Sequence, residues 1–227
     1  MSELPETAAD YFGGMVESYD SLIRRAVSRY DEMTERLLIH LPPGSRRILE
    51  LGCGTGNLTL KLAERFPEAE IMTVDASPEM AATAAARAAA KGFGGRVRTV
   101  TGRFEETRFA PGSFDLVTSC MSLHHVKEKG PLYRSIRGWL APGGWFCFAD
   151  QLLGVTEEVQ RVMWEEWLKF CRANCSEEEV KSLLEHAAAH DHYEPLAAHF
   201  RMMAEAGYGE MDCVWRNLMY SVVVGRC

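Results

Sequence analysis

Three glycines at alternate positions, Gly52, Gly54 and Gly56, form the clearest ligand-binding pattern in the sequence. They follow an apolar run at 48–51 and precede a predicted helix that begins at Asn57. Glycine lets the backbone turn tightly and approach a ligand closely. The free amides at the start of the helix favour an anionic or polar group. Placed after the first strand of a strand–helix–strand unit, the pattern predicts a ligand-binding loop.

Asp75 stands at the end of the next predicted strand and could recognise a nucleoside. A carboxylate at this place can accept hydrogen bonds from both hydroxyls of a ribose. Taken alone, Asp75 could instead cap the helix that Pro78 begins. Together with the glycine loop, it favours nucleoside binding over helix capping.

Two groups of histidines are the other candidates for chemistry. His124 and His125 follow the fourth predicted strand, where an imidazole with a pKa of about 6.5 could remove a proton from a substrate. The alternative is that the pair serves packing and loop structure.

The second group comprises His186, His190 and His192, with Asp191 between the last two. His186 and His190 are four residues apart on a predicted helix, so both imidazoles could face one metal ion. Two histidines and a carboxylate would suit zinc, iron, manganese or nickel. The alternative is that Asp191 closes a turn while the histidines are solvated or line a substrate pocket.

Alternating strands and helices must position these groups. The pattern predicts an α/β fold, a parallel sheet covered by helices on both faces. The predicted strands are 47–51, 71–74, 97–100, 114–119 and 145–149, and the helices between them are 57–66, 78–91 and 131–140. A helix is predicted over 15–40, helical structure over 156–190 and a helix from Pro195 to Gly207. A hairpin of strands 211–215 and 219–224 follows.

Composition excludes several classes of protein. The 227 residues are 47% hydrophobic and 25% charged, which is typical of a globular domain. The net charge is −7, and residues 151–227 carry 7 basic and 13 acidic residues, so no direct nucleic-acid partner is expected. No run approaches the ~20 apolar residues of a membrane span, and no membrane partner is expected. The acidic N-terminus lacks the apolar stretch of a signal peptide, and seven cysteines without framework spacing fit a reducing cytoplasm.

Four segments carry a resemblance to a known family: ILELGCGTG at 48–56, VDAS at 74–77, FDLVTSCMSLHHV at 114–126 and LAPGGWFCF at 140–148. With these segments the chain resembles the class I S-adenosylmethionine-dependent methyltransferases. The resemblance implies a Rossmann-like fold with a seven-stranded, mostly parallel sheet, an antiparallel last strand and a helical cap.

We expect one domain over 1–227. Its parts are an N-terminal helical cap (1–40), a cofactor-binding core (45–150), a helical insertion or lid (151–194) and a C-terminal helix and hairpin (195–227).

The resemblance also implies a site for S-adenosylmethionine. In it, 52–54 border the methionine part, Asp75 holds the ribose, Ala76 and Met80 flank the ribose or adenine, and Phe104 lies beside the adenine. Arg103 departs from the family, which usually has an acid there to accept the adenine amino hydrogen. The implied cofactor residues are Tyr30, Glu50, Gly52, Cys53, Gly54, Asp75, Ala76, Met80, Arg103, Phe104, Cys120 and Ser122.

A narrower resemblance lies outside the core. The segment 19–25 followed by Tyr30, and the tail 196–224, are similar to the carboxy-S-adenosylmethionine synthase group, in which the tyrosine at the place of Tyr30 reaches the cofactor. That group's carboxylate-binding Lys-Arg pair has no counterpart near 181–192. The sequence therefore predicts methyl transfer to a small-molecule acceptor, with Tyr19 and His125 as catalytic candidates, in a monomer or homodimer.

Two alternatives stay open. One is a cofactor-modifying enzyme of the synthase type. The other is a metal-dependent methyltransferase or a metal-binding protein that uses His186, His190 and His192.

Overall fold

The computed structural model describes residues 7–227, which form a seven-stranded sheet with helices on both faces. The strands are Arg47–Leu51 (β1), Glu70–Asp75 (β2), Val97–Thr101 (β3), Phe114–Cys120 (β4), Leu140–Gln151 (β5), Glu210–Asn217 (β6) and Tyr220–Arg226 (β7). The helices are Ala8–Gly13 (α1), Val16–Ala26 (α2), Tyr30–His40 (α3), Asn57–Arg65 (α4), Pro78–Ala90 (α5), Lys129–Trp139 (α6), Glu157–Asn174 (α7), Glu177–His190 (α8) and Leu196–Ala206 (α9). A short 3₁₀ helix spans Leu123–His125.

The strand order is β3-β2-β1-β4-β5-β7-β6. Strands β1 to β5 pair in parallel, whereas β7 runs antiparallel to both β5 and β6. This confirms the predicted mostly parallel sheet with an antiparallel last strand. The chain reverses its direction of winding between β1 and β4, and such a switch point opens a crevice at the carboxyl ends of the strands.

Local signals explain where several helices begin and end. The Ser77 side chain accepts a hydrogen bond from the Met80 amide at the start of α5, and Pro78 occupies the first turn. Gly207 ends α9 with a left-handed φ of 95°, which glycine adopts without steric cost.

The predicted single helix over 15–40 is wrong. Two helices occur there, because Arg29 takes a left-handed φ of 61° between them. The helical stretch 156–190 also divides, since Ser176 and Glu179 form a capping box that begins a new helix. The 142–144 Pro-Gly-Gly segment lies inside the longer β5 and not in a loop before it. The hairpin turn lies at 218–219, after β6 has continued through 216–217.

Both faces of the sheet are packed with apolar side chains. One face buries Met33, Leu37 and Leu62 from helices α3 and α4, and the other buries Tyr133 and Ile136 from α6. Within residues 7–227, no helix combines the length and apolar character needed to cross a bilayer.

Candidate functional site

A cavity of about 280 Å³ lies at the carboxyl ends of β1, β2 and β4. Every residue that the family resemblance implies for the cofactor lines it, from Tyr30 in the N-terminal helices to Ser122 beyond β4. The two catalytic candidates, Tyr19 and His125, line it as well. The structure therefore brings all the predicted site residues to one place, while their individual roles stay predictions.

The glycine loop forms the floor of the cavity in a conformation that favours glycine. Gly52, Gly54 and Gly56 have φ values of 75°, 52° and 89°, in the left-handed region. A Cβ atom on Gly52 would lie 2.0 Å from the Oγ atom of Ser122 and 2.4 Å from its Cβ atom. The loop thus leaves no room at Gly52 for a side chain.

The Asp75 carboxylate is held by two backbone amides. Its Oδ2 atom accepts a hydrogen bond from Gly54 N at 2.7 Å, and its Oδ1 atom accepts one from Ser77 N at 2.9 Å. Ser77, and not Asp75, caps α5, so the helix-cap interpretation of Asp75 is wrong. Each carboxylate oxygen has a further lone pair, and both can still accept a hydroxyl.

Glu50 is an acid buried beneath the glycine loop, with 1% of its surface exposed. Thr59 Oγ1 donates a hydrogen bond to Glu50 Oε2 at 2.6 Å. Burial raises the pKa of Glu50 to about 8, against the lowering effect of Thr59. Glu50 is therefore largely protonated at neutral pH in the ligand-free protein, and a cationic group bound nearby would favour its ionised form.

The adenine end of the predicted site has one buried and one ion-paired residue. Phe104 is buried against the sheet. The Arg103 guanidinium pairs with Glu105 and with Glu106, the latter at 3.3 Å. Arg103 thus faces neighbouring acids. Glu105 also lines the cavity, so a carboxylate is present there although the position of Arg103 does not provide one.

Helix α2 is fastened to the glycine loop by Asp20. Asp20 Oδ1 accepts hydrogen bonds from Thr55 Oγ1 at 2.5 Å and Asn57 Nδ2 at 2.8 Å. Asp20 Oδ2 accepts one from Arg87 Nη1 of α5 at 2.9 Å. Burial opposes ionisation of Asp20, but these donors outweigh it and lower its pKa. One carboxylate therefore joins the N-terminal helices, the loop and α5.

The N-terminal helix α1 forms a wall of the cavity that the sequence interpretation missed. Thr7, Ala8 and Phe12 line the cavity. The Thr7 hydroxyl accepts from the Asp10 amide, and the Asp10 side chain accepts from the Thr7 amide. This Thr-x-x-Asp capping pattern is the signal that could have predicted the helix.

Tyr19 and Tyr30 extend from α2 and α3 into the same wall. Burial raises the pKa of both phenols well above the ordinary range. Both remain protonated at neutral pH, so each can donate a hydrogen bond but neither is suited to act as a base.

A second, smaller cavity of about 80 Å³ adjoins the first. Phe12, Tyr19 and Met121 line both cavities. Its remaining lining is mostly apolar and includes Trp167, whose Nε1 donates to the Ala26 carbonyl at 2.9 Å. The place of the second cavity suits a small acceptor next to a larger cofactor.

Histidines from two distant segments meet between the cavities. His124, His125 and Asp191 bring one ligand atom each to within 4.8 Å of one another. His186 Nε2 lies 3.5 Å from Asp191 Oδ1. Among the described residues, the group that could hold a metal ion is therefore His124, His125 and Asp191. It differs from the predicted trio of His186, His190 and His192. Sequence reasoning could not pair Asp191 with the 124–125 segment, because about 65 residues separate them.

Comparison with known proteins shows what the segment around the site is similar to. Residues 48–144 match the family model described as a methyltransferase domain. The chain is 40% identical over 103 residues to trans-aconitate 2-methyltransferase of Mycobacterium tuberculosis, covering 45% of this chain and 36% of the relative. It is 35% identical over 139 residues to demethylmenaquinone methyltransferase of Thermus thermophilus, covering 59% and 60%. The chain thus spans less than two thirds of either relative's length.

A solved structure extends the likeness beyond the core. Phosphoethanolamine N-methyltransferase 2 of Haemonchus contortus, solved with S-adenosyl-L-methionine, superimposes with a TM-score of 0.65 at 19% identity, covering 88% of this chain and 42% of that one. At this identity the likeness shows the fold alone. Residues 48–144 are thus similar to a methyltransferase domain, and the sheet shares the fold of this solved structure.

Proposed function

We propose that the protein transfers a methyl group from S-adenosylmethionine to a small molecule. The observation that carries the proposal is the cavity in which the glycine loop, Glu50 and Asp75 meet at the switch point of the sheet. Two curated relatives of similar sequence are named as methyltransferases, which supports the same activity.

The residues present fit this cofactor. A Cβ atom on Gly52 would collide with Ser122, and a loop without side chains at its glycines lets the backbone approach the methionine part closely. Asp75 keeps lone pairs for the two ribose hydroxyls after it has accepted the Gly54 and Ser77 amides. Met80 and Phe104 are both buried and offer apolar walls to the adenine.

When bound, S-adenosylmethionine supplies a methyl group already activated by its sulfonium, so the protein contributes mainly binding and orientation. Glu50 would place a negative charge near the cationic end of the cofactor. Tyr19 and His125 face the space where an acceptor would lie, and we propose that they orient it. The N-terminal helices and α8 line this space.

The lining of the second cavity favours a neutral acceptor. Ile23, Val27 and Leu183 are among its apolar residues, and residues 151–227, which contribute much of the cover, carry 13 acidic against 7 basic residues.

Calorimetric titration with S-adenosylmethionine tests the cofactor site. We expect one site per chain, and at least tenfold weaker binding in Asp75→Asn, because tenfold corresponds to the ~1.4 kcal/mol expected for a charged hydrogen bond. Glu70→Gln is the matched control, since Glu70 lies exposed at the opposite end of the same strand. Equal affinity in Asp75→Asn and Glu70→Gln would contradict the assigned ribose site.

Turnover is tested with cofactor labelled in the methyl group. Demethylmenaquinone, trans-aconitate and a panel of phenols, amines and carboxylic acids are incubated with the protein, and label in the product is measured by mass spectrometry. We expect labelled product and release of S-adenosylhomocysteine. Recovery of carboxylated cofactor from the purified protein, without label transfer, would favour the synthase alternative.

A further inference from the structure

The histidine cluster between the cavities contains a concentration of buried polar atoms without hydrogen-bond partners. Ten such side-chain atoms occur within residues 7–227, and six of them belong to this cluster. They are both ring nitrogens of His125 and of His186, Nε2 of His190 and Oδ1 of Asp191; of these, His125 Nδ1 and Asp191 Oδ1 lie 2.9 Å apart and pair with each other, which leaves four without a partner. Each unpartnered buried polar group costs about 1–3 kcal/mol, so a cluster of this kind indicates a missing ligand.

Nitrogen atoms of three histidines lie within 4 Å of one oxygen of Asp191. Asp191 Oδ1 lies 2.9 Å from His125 Nδ1, 3.5 Å from His186 Nε2 and 3.9 Å from His124 Nε2. A metal ion held at about 2.0–2.2 Å by nitrogen and carboxylate oxygen keeps its ligand atoms about 3–4 Å apart. The separations from Asp191 fall close to this range.

Neighbouring groups hold the two ends of the cluster in orientation. His124 Nδ1 contacts Asp150 Oδ1, and the His124 amide donates to Asp150 Oδ2 at 3.1 Å, so Nε2 is left to face Asp191. The Tyr193 hydroxyl donates to Asp191 Oδ2, so Oδ1 faces the imidazoles. Carboxylates and hydroxyls that orient metal ligands in this way are typical of metal sites.

The backbone joins the two distant segments directly. The His192 amide donates to the His124 carbonyl at 2.7 Å. Lys129 Nζ donates to the carbonyl of Val126 at 2.7 Å and also to that of His192. The ligand atoms are therefore fixed by main-chain contacts on both sides, and the cluster does not depend on one mobile side chain.

We propose that His124, His125 and Asp191 bind one divalent first-row transition metal ion, with His186 within reach of a fourth position. Two histidines and a carboxylate with an open position are a ligand set for iron, zinc, manganese or nickel. His186 is buried, and its Nε2 atom lies 3.5 Å from Asp191 Oδ1. His192 orients the cluster through its backbone and is not a ligand.

The place of the ion gives it a role beyond structure. His125 lines the larger cavity, whereas His124, His186 and Asp191 line the smaller one. An ion bound here would stand where the acceptor meets the methyl donor, and its open position would take an oxygen or nitrogen of the acceptor. In the metal-bound protein His125 would bind the ion, and it would orient the acceptor indirectly through that ion.

Metal titration of the full chain tests the proposal without any need for turnover. The purified protein is stripped with a chelator, the chelator is removed, and Zn²⁺ is titrated in competition with a chromophoric chelator. We expect one ion per chain with a Kd below about 1 μM. Cobalt(II) is titrated in parallel, and its visible absorption spectrum reports nitrogen and oxygen ligands in a low-symmetry site.

Substitutions separate ligands from neighbours. Asp191→Asn and His124→Gln should each weaken Zn²⁺ binding at least tenfold, and Asp150→Asn should do so through loss of orientation. His40→Gln is the matched control and should leave the Kd within about twofold, because His40 lies exposed at the end of α3. Circular dichroism and thermal melting identify any variant that fails to fold, and His186→Gln then supplies a second test.

Two results would overturn the proposal. One is the absence of Zn²⁺ and Co²⁺ binding at micromolar concentration in the folded protein. The other is an unchanged Kd in folded Asp191→Asn and His124→Gln. Titration with S-adenosylmethionine on the same samples keeps the two proposals apart, because cofactor binding without metal binding would overturn only this inference.

Discussion

The closest steric constraint in the cofactor cavity lies at Gly52, and its replacement by alanine tests the whole account of the glycine loop. The new Cβ atom would lie 2.0 Å from Ser122 Oγ and 2.4 Å from Ser122 Cβ. Ser122 cannot simply turn away, because its own Cβ atom is involved and its Oγ is within 3.2 Å of the carbonyls of Gly52 and Cys120. We therefore expect the loop to move.

The free-energy cost has two parts that a matched variant separates. A left-handed φ costs an alanine about 1–2 kcal/mol, and forcing extra volume into a packed site costs about 1–3 kcal/mol more. Gly92 has a φ of 80°, close to the 75° of Gly52, but a Cβ atom there meets nothing within 4 Å in the described structure. Gly92→Ala should thus show only the cost of the left-handed φ. Gly52→Ala should show this cost and the cost of added volume in a packed site.

Urea denaturation measures the free energy of unfolding, and calorimetry measures affinity for S-adenosylmethionine. Gly52→Ala should lose about 1–3 kcal/mol more stability than Gly92→Ala and bind the cofactor at least tenfold more weakly. Adding Ser122→Gly to Gly52→Ala removes both contact atoms and should restore part of the stability. The steric argument fails if Gly52→Ala matches Gly92→Ala in both measurements.

Three further predictions follow from burial and charge. Because the pKa of Glu50 is raised from 4.5 to about 8, the folded protein holds a proton that the unfolded chain releases, so stability falls as pH rises through this window. In Glu50→Gln the free energy of unfolding should lose this pH dependence between pH 5 and 9, a difference on the order of a few kcal/mol at the alkaline end. Melting temperatures measured across this pH range report the change. Arg25 binds Glu179 through two contacts of 2.7 Å, but both are about one third exposed. Arg25→Ala should therefore cost at most about 1 kcal/mol, and less in 1 M NaCl; an equal loss at both salt concentrations would contradict an electrostatic origin. Leu37→Ala, at a fully buried position, should cost about 2–5 kcal/mol, whereas Ile39→Ala, at a side chain 50% exposed on the same helix, should cost far less in the same denaturation assay.

The sheet was predictable because its strands and loops carry local signals. The apolar run before Gly52, the Ser-Pro start of α5 at 77–78 and the Gly207 stop each act within a few residues. Short-range capping, turn and periodicity rules describe such signals well. The hairpin at the end was predictable for the same reason, although its turn lies two residues later than expected.

The divided helices were less predictable, since tertiary packing decides where they break. Nothing in the residue type of Arg29 requires a left-handed φ, yet the break there lets α2 and α3 follow different directions. The position of α1 over the cavity likewise depends on contacts with α8, such as Tyr11 with Ser182 at 2.9 Å.

The predicted cofactor residues, all of which line the larger cavity, come from contiguous segments that carry a family resemblance. The histidine cluster could not, because its members come from a loop after β4 and from the end of α8. Their pairing depends on the His192–His124 backbone contact, which neither segment encodes alone. His124 and His125 were interpreted separately from Asp191 for that reason.

The Asp20 contacts have a consequence for how the proposed site binds its cofactor. Because Asp20 joins α2 to the glycine loop and to α5, the docking of the N-terminal helices and the affinity for the cofactor would share one coupling free energy. That coupling is reciprocal: the factor by which docked helices strengthen cofactor binding is the factor by which bound cofactor strengthens their docking. A bound cofactor would therefore also stabilise the helices that cover the proposed acceptor space.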